Sequence, residues 1–385
     1  MPDSQDIQQT RDAIQEVDRE ILVRIRDRMD LVESIAEAKL KRAVPFRDQP
    51  REEAVLQRVR QTAVELGLDP HEIERLYRLI MQMSLARQQA HIQTQSTAPL
   101  RVAYQGIEGS YTHLAAQQKY AGRSGGALLV GYGNFRQVVE AVRDGSVDLA
   151  LLPIENSTAG GINETYDLLA EGGIVLNAEV MSHIEHCLLA LPGTRVEDLR
   201  LVLSHPQALL QCETFFRSVP WIRPQAEFDT AGAARKVKEG NAPEIGAVAS
   251  ETAARMLGLE ILRRGIQSQS GNYTRFLEIA RSATPCPPDT ACKSSVLLEV
   301  DHRPGALGRI LDHFGRHGVN LTKIESRPIP GKPWQYRFYL DLEGHASASP
   351  LSGALEAIRP LAAGLRVLGT YPRAEADPPG PSPSS

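Results

Sequence analysis

The chain of 385 residues carries 43 Lys and Arg against 47 Asp and Glu, a formal net charge of -4 at pH 7. That length suits about two to four domains with cores of their own, and with charge so nearly balanced nothing suggests a nucleic-acid surface. No apolar run approaches the roughly 18 residues of a membrane span, and Met1-Pro2-Asp3-Ser4-Gln5-Asp6 is too polar for a secretory signal, so a cytoplasmic protein is expected. Cys187, Cys212, Cys286 and Cys292 form no Cys-x-x-Cys pair and no His-rich cluster, which argues against a zinc site or a disulfide framework; Cys286 and Cys292 share a proline-rich linker and are placed to be oxidised together.

Residues 5 to about 94 are charged and glutamine-rich with Gly67 the only glycine, the composition of an all-helical segment. Ile7, Ile14, Val17, Ile21, Ile25, Val32 and Ile35 recur at helical spacing without an intervening glycine or proline, which predicts one long helix. Arg11, Arg28 and Lys39 fall on its apolar side, where cations call for anions. Arg28 and Lys39 are close to three turns apart, about 16 Å, and can converge on one small ligand. Arg11 lies about 25 Å from Arg28 and about 42 Å from Lys39, so it reaches that ligand only from a second copy running antiparallel, which implies an intertwined dimer. Asp48 reads as a cap ahead of Arg51 and Glu52, and Asp69-Pro70 opens a third helix whose stripe continues into polar Ser84 and Gln88. Several cations with a serine, an amide and an acid suit a dicarboxylate that also carries hydroxyl and ether oxygens.

Thr97-Ala98-Pro99 breaks the helical texture, and from Leu100 to about Arg281 strand-like runs at 101–104, 149–154, 201–203 and 245–248 alternate with helical ones, an α/β pattern. The run Leu149 to Ile154 ends on Glu155, Asn156, Ser157 and Thr158, and the carboxyl ends of such strands are where open α/β sheets place ligand-binding groups. Gly131-Tyr132-Gly133 lacks the third glycine of a dinucleotide fingerprint, which excludes a dehydrogenase, and Ser204-His205 without a matched acid is no hydrolase triad. Residues 284–289 read as a linker, 294–373 as a compact α+β unit, and 374–385 as a disordered tail.

Arg11, Arg28, Lys39, Asp48, Arg51, Glu52, Ser84 and Gln88 resemble, position for position, the site of the all-helical chorismate mutases that are fused to prephenate dehydratase. The resemblance implies a Claisen rearrangement of chorismate to prephenate, with Arg11 of the partner chain and Arg28 on the carboxylates, Lys39 and Gln88 on the ether oxygen, and Glu52 and Asp48 near the ring hydroxyl. Arg51 and Ser84 complete the substrate-binding set. A pericyclic step needs a compressed conformer and donors aimed at developing charge rather than a nucleophile.

The stretches 104–113, Pro153 to Ser157 with Gly160-Gly161, 204–208 with Gln211-Cys212, and Asn272-Tyr273-Thr274-Arg275-Phe276 resemble prephenate dehydratase. That family implies two α/β subdomains around a cleft, like periplasmic binding proteins, and decarboxylative loss of the ring hydroxyl to give phenylpyruvate. By resemblance Thr274 stands at the leaving hydroxyl; Glu155, Asn156, Ser204 and Gln211 form a polar wall; Arg275 takes a carboxylate and Phe276 belongs to the substrate site. Gly305, Ala306 and Leu307 with Glu325, Ser326, Arg327 and Pro328 resemble an ACT module of ferredoxin-like fold, implying phenylalanine as effector; Gly308 replaces a bulkier apolar residue there. The expected organisation is 1–95 mutase, 100–281 dehydratase, 293–373 ACT and 374–385 tail, with no cofactor, no metal, no nucleic acid and no membrane partner, in a homodimer or higher homo-oligomer. Arogenate as the dehydratase substrate, or a noncatalytic amino-acid sensor, are the alternatives.

Overall fold

The computed structural model describes residues 4–42, 49–95, 99–123, 125–286 and 290–374, with side chains in the helical segment described at 9–32, 53–81, 83 and 84. It forms two compact units, Met1–Ala98 and Pro99–Ser385. The first holds α1 (Ser4–Arg42), α2 (Gln49–Glu65) and α3 (Pro70–Gln95), with α1 and α2 both packed on α3. Asp69 accepts from the backbone N–H of His71 at 2.8 Å and of Glu72 at 3.2 Å, satisfying the orphan donors of the α3 terminus. Val32, Leu56, Ala63 and Ile80 are buried, but Ile14, Val17 and Ile21 are 55%, 55% and 51% exposed, so this chain leaves part of the apolar stripe uncovered.

The second unit begins with a lobe of β1 (Leu100–Gln105), α4 (Tyr111–Tyr120), β2 (Ala127–Tyr132), α5 (Phe135–Asp144), β3 (Leu149–Asn156), β4 (Gly160–Gly161), α6 (Asn163–Glu171) and β5 (Val175–His183). The chain crosses to a second lobe of β6 (Cys187–Ala190), β7 (Leu201–Ser204), α7 (Pro206–Gln211), α8 (Glu213–Ser218), β8 (Arg223–Ala226), α9 (Thr230–Gly240), β9 (Ile245–Ala249), α10 (Glu251–Leu257) and β10 (Glu260–Arg263). It then returns as β11 (Tyr273–Ala280) into the middle of the first sheet, whose order is β2-β1-β3-β11-β5 with β4 on β3. The second sheet runs β10-β6-β9-β7-β8. Strand β1 is parallel to β2 and β3, and β11 is antiparallel to both β3 and β5.

A third sheet, β13-β14-β12-β15, is built from β12 (Cys292–Glu299), β13 (Leu321–Ile329), β14 (Lys332–Glu343) and β15 (Gly364–Pro372), with α11 (Ala306–Arg316) and α12 (Leu351–Ile358) on one face. Alternation along the strands decides what each face meets. Val296, Leu298, Leu340 and Leu342 pack under the helices with Ile310 and Phe314, while Leu297, Tyr339, Leu368 and Tyr371 join the core of the first lobe with Leu152, Ile154 and Leu176. This module is therefore continuous with the first lobe. Cys286 and Cys292 are joined in a disulfide across the linker, with Cα atoms 6.7 Å apart, whereas Cys187 and Cys212 are free and buried. Among the described residues no helix is long and apolar enough to cross a membrane.

Candidate active site

A cleft of roughly 390 Å³ opens between the two lobes. Its floor comes from the ends of β3 and β11, where Thr274 pairs with Asn156 in the ladder. Asn156 Oδ1 accepts from the backbone N–H of Thr158 and of Ala159, each at 3.0 Å, and its Nδ2 donates to Thr274 Oγ1 at 3.0 Å and Asn272 Oδ1 at 2.7 Å. Gln211, at the end of α7, donates from Nε2 to Asn156 Oδ1 at 3.1 Å and Thr158 Oγ1 at 2.9 Å. The N-termini of α4, capped by Ser110, and of α9, capped by Asp229, also line the cleft. Two helix N-termini favour negative charge, which suits a ligand bearing carboxylates. His205 also lines the cleft, its Nδ1 accepting from Gln207 N at 3.1 Å, and burial holds its imidazole below the ordinary 6.5.

Asn156, Gln211, Thr274 and Phe276 line this cleft, but Glu155, Ser204 and Arg275 do not. Ser204 is fully buried and donates from Oγ to Val248 O at 2.6 Å. Arg275 points to the opposite face of the sheet, where its side chain is 6% exposed between three carboxylates. Its Nε donates to Glu155 Oε1 at 2.5 Å, Nη1 to Glu179 Oε2 at 3.1 Å, and Nη2 lies 2.8 Å from Asp341 Oδ2 as an ion pair. Glu155 is held from the other side by Lys323 of β13. Burial works against both charges, yet Asp341 and Glu155 hold Arg275 above its ordinary value, and Arg275 and Lys323 hold Glu155 below 4.5. Arg275, expected to grip a substrate carboxylate, is thus placed behind the cleft floor with its donors engaged within the protein. Glu155 and Ser204, expected as wall residues, likewise lie outside the cleft lining.

The reason lies in β3. Phe276 pairs with Pro153 and Arg275 with Glu155, so Ile154 is an extra residue, a β-bulge. Strict alternation from Leu151 would bring Glu155 to the cleft beside Pro153. The bulge instead turns Ile154 and Glu155 together to the back and leaves Pro153 and Asn156 in front.

In the helical unit Arg28 Nη1 donates to Ser84 Oγ, and buried Ser84 donates to Ile80 O at 2.6 Å, beside a groove that includes Val17, Ile21, Arg28 and Tyr77. Arg11 is exposed. Asp48 and the side chains of Lys39, Arg51, Glu52 and Gln88 lie outside the described residues, as does nearly all of the 374–385 tail. In the third sheet Gly305 adopts φ +74° at the start of α11, a conformation open to glycine, with Ala306 buried and Leu307 packed on the module core. Ser326 and Pro328 pair with Phe338 and Tyr336 on the helix side of the sheet. Glu325 and Arg327 point to the other face, Arg327 to Asp167 at 2.8 Å and Glu325 to Lys323 at 3.5 Å. The expected effector set is divided between two faces of β13, and a Cβ at Gly308 would meet open space. His186, Asp229 and Thr230 also line the cleft and carried no signal in the sequence, whereas Tyr111 and His205 sat inside the matched stretches.

Two α/β lobes around a polar cleft, with an α+β module on the back of its floor and a separate helical unit earlier in the sequence, define a multidomain enzyme for small acidic molecules with a built-in regulatory module. The family profiles match accordingly: chorismate mutase type II over residues 10–89, prephenate dehydratase over 102–284 and ACT domain over 294–360. The bifunctional chorismate mutase/prephenate dehydratase of Enterobacter agglomerans is 34% identical over 367 residues, 94% of this chain and 95% of that protein. A prephenate dehydratase structure from Arthrobacter aurescens, described in complex with L-Phe, is 31% identical with a TM-score of 0.65 over 71% of this chain and 90% of its own. Arogenate dehydratase 2 of Petunia hybrida is 42% identical over 287 residues, 71% of this chain and 72% of that protein. The chain belongs to the bifunctional chorismate mutase/prephenate dehydratase family of phenylalanine biosynthesis. A dehydratase acting on arogenate and a noncatalytic amino-acid sensor are not favoured.

Proposed function

We propose that prephenate lies in the cleft with its carboxylates toward the N-termini of α4 and α9 and its ring hydroxyl at Thr274. The observation that carries this reading is the pinned Asn156 amide: because its Nδ2 donates to Thr274 Oγ1, the threonine hydrogen is left to donate into the cleft. Loss of carbon dioxide breaks the ring C–C bond, its electron pair aromatises the ring, and the C–O bond breaks as the departing oxygen takes a proton from the Thr274 side, giving water and phenylpyruvate. Thr274→Ala is expected to lower dehydratase kcat roughly 10²–10³-fold while chorismate turnover stays at the wild-type rate. Full dehydratase activity in that variant would refute the assignment.

The remaining organisation follows as residues 1–95 for the mutase, 100–281 for the dehydratase, 293–373 for the ACT module and 374–385 as tail, in a cytoplasmic homodimer. Arg28, with Ser84 beside it, binds chorismate; Lys39 and Gln88 address the ether oxygen, Glu52 and Asp48 the hydroxyl side, and Arg11 comes from the partner. The effector is phenylalanine, as the ACT profile and the L-Phe complex of the Arthrobacter aurescens relative support. Its influence reaches the cleft through Lys323 and Asp341, which hold Glu155 and Arg275, the neighbours of Asn156 and Thr274 in the chain.

A further inference from the structure

His186 sits in the crossing between β5 and β6, far in sequence from every residue of the cleft floor, and is only 2% exposed. Its surroundings fix the location of its hydrogen. Asn156 Oδ1 is approached at 3.0 Å by two backbone N–H groups, which can only donate, so that atom is the oxygen of the amide. The Gln211 group facing it at 3.1 Å must then be the NH₂. Gln211 Oε1 is thereby turned toward His186 Nε2 at 2.7 Å and Asn272 Nδ2 at 3.1 Å. An amide oxygen carries no hydrogen, so His186 Nε2 does.

His186 Nδ1 lies 2.8 Å from the hydroxyl of Tyr111, which also lies 2.8 Å from Glu185 O. Burial holds the imidazole below 6.5, against a smaller opposing pull from Gln211, so the ring is neutral, and with its hydrogen on Nε2 it leaves Nδ1 to share with Glu185 O the one hydrogen of the Tyr111 hydroxyl. A chain of one-way hydrogen bonds results, from His186 through Gln211 and Asn156 to Thr274.

We propose that His186 is a positioning residue for the dehydration: its Nε2–H locks the Gln211 amide so that the NH₂ braces Asn156, which in turn leaves the Thr274 hydrogen directed at the departing oxygen. This rests on the reading of Thr274 given above. Without a donor at position 186, Gln211 is free to turn over, and its oxygen would then oppose Asn156 Oδ1. The cost falls on the transition state, in which the departing oxygen gains charge, rather than on prephenate binding.

The test compares His186→Phe, which keeps a ring without a donor, with His186→Gln, whose NH₂ replaces Nε2–H. In the full chain His186→Phe is expected to lower dehydratase kcat by about 10- to 50-fold with the prephenate KM within about threefold, less than the loss of a donor on the reacting oxygen. His186→Gln is expected within about threefold of wild type. Equal impairment of both variants, an unchanged kcat in His186→Phe, or a loss confined to KM would overturn the proposal. Should the phenylalanine variant fail to fold, ¹⁵N-histidine NMR of the wild type, with His186 assigned by its disappearance in His186→Gln, decides independently: a hydrogen on Nε2 is expected, and a bare Nε2 overturns it. Thr274→Ala, assayed alongside, separates the two failures. An active Thr274→Ala refutes the reading of the site, whereas an inactive Thr274→Ala beside a fully active His186→Phe refutes only the role of His186.

Discussion

Arg275 lies in the chain between two residues that line the cleft, Thr274 and Phe276, but turns to the back of the sheet, where its charge is buried. It is shared among Glu155, Glu179 and Asp341, and Lys293 closes the cluster on Glu179 at 2.8 Å. Breaking a buried pair by removing one partner leaves uncompensated charge and costs about 3–5 kcal/mol, so Arg275→Met is expected to lower stability by that amount in urea titrations at pH 7. Its acid dependence has a defined sign. Glu155 is held below 4.5 in the fold, so its contribution is present above that value and is lost as the pH falls through the lowered one. The gap between wild type and variant should therefore narrow below pH 4.5. Because Arg275 lies behind the cleft floor, the loss of dehydratase activity should appear in kcat. A prephenate KM raised tenfold or more with kcat intact would return the guanidinium to the substrate.

At the scale of elements, the regulatory module is fitted to the first lobe by close contact of β15 with β5. A Cβ at Gly369 would collide with the backbone carbonyl of Leu176, between Leu368 and Tyr371, which enter the shared core. Gly369→Ala must separate these strands. Overpacking of this kind costs about 1–3 kcal/mol, so a lower thermal midpoint and reduced dehydratase turnover are expected with mutase turnover unchanged; an unaltered midpoint would show that the two strands can part freely. The elements themselves were legible in the sequence, since the apolar runs at 101–104, 149–154, 201–203 and 245–248 fall within β1, β3, β7 and β9, and the uninterrupted stripe of the first segment became a 39-residue helix. The facing of Glu155 was not. Nothing in Leu-Pro-Ile-Glu-Asn announces a bulge at Ile154, which comes from pairing with a strand more than a hundred residues later. Arg275 was legible in principle, because a strand that sends Thr274 and Phe276 to the cleft sends the residue between them to the back. His186 was beyond reach, as its meaning depends on Gln211, Asn156 and Tyr111 meeting across two lobes.

At the scale of the whole molecule, the helical unit leaves a question that its own chain does not answer. Ile14, Val17 and Ile21 are more than half exposed along a helix whose pattern calls for a partner. Arg11 is separated from Arg28 by 17 residues of α1, about 25 Å at the rise of an α-helix, so a single copy cannot close both on one chorismate. If an antiparallel second α1 covers the stripe, each mutase site takes Arg28 from one chain and Arg11 from the other. Arg11→Ala and Arg28→Ala chains should each be nearly inactive as mutases alone. Unfolded together and refolded as a mixture, half of the dimers formed at random are mixed, and each mixed dimer holds one site with both arginines and one with neither. Mutase activity should then return to about a quarter of the wild-type value, while dehydratase activity stays at the wild-type level throughout. Two arginines acting within one chain could never complement, and an inactive mixture would place Arg11 outside the partner's site.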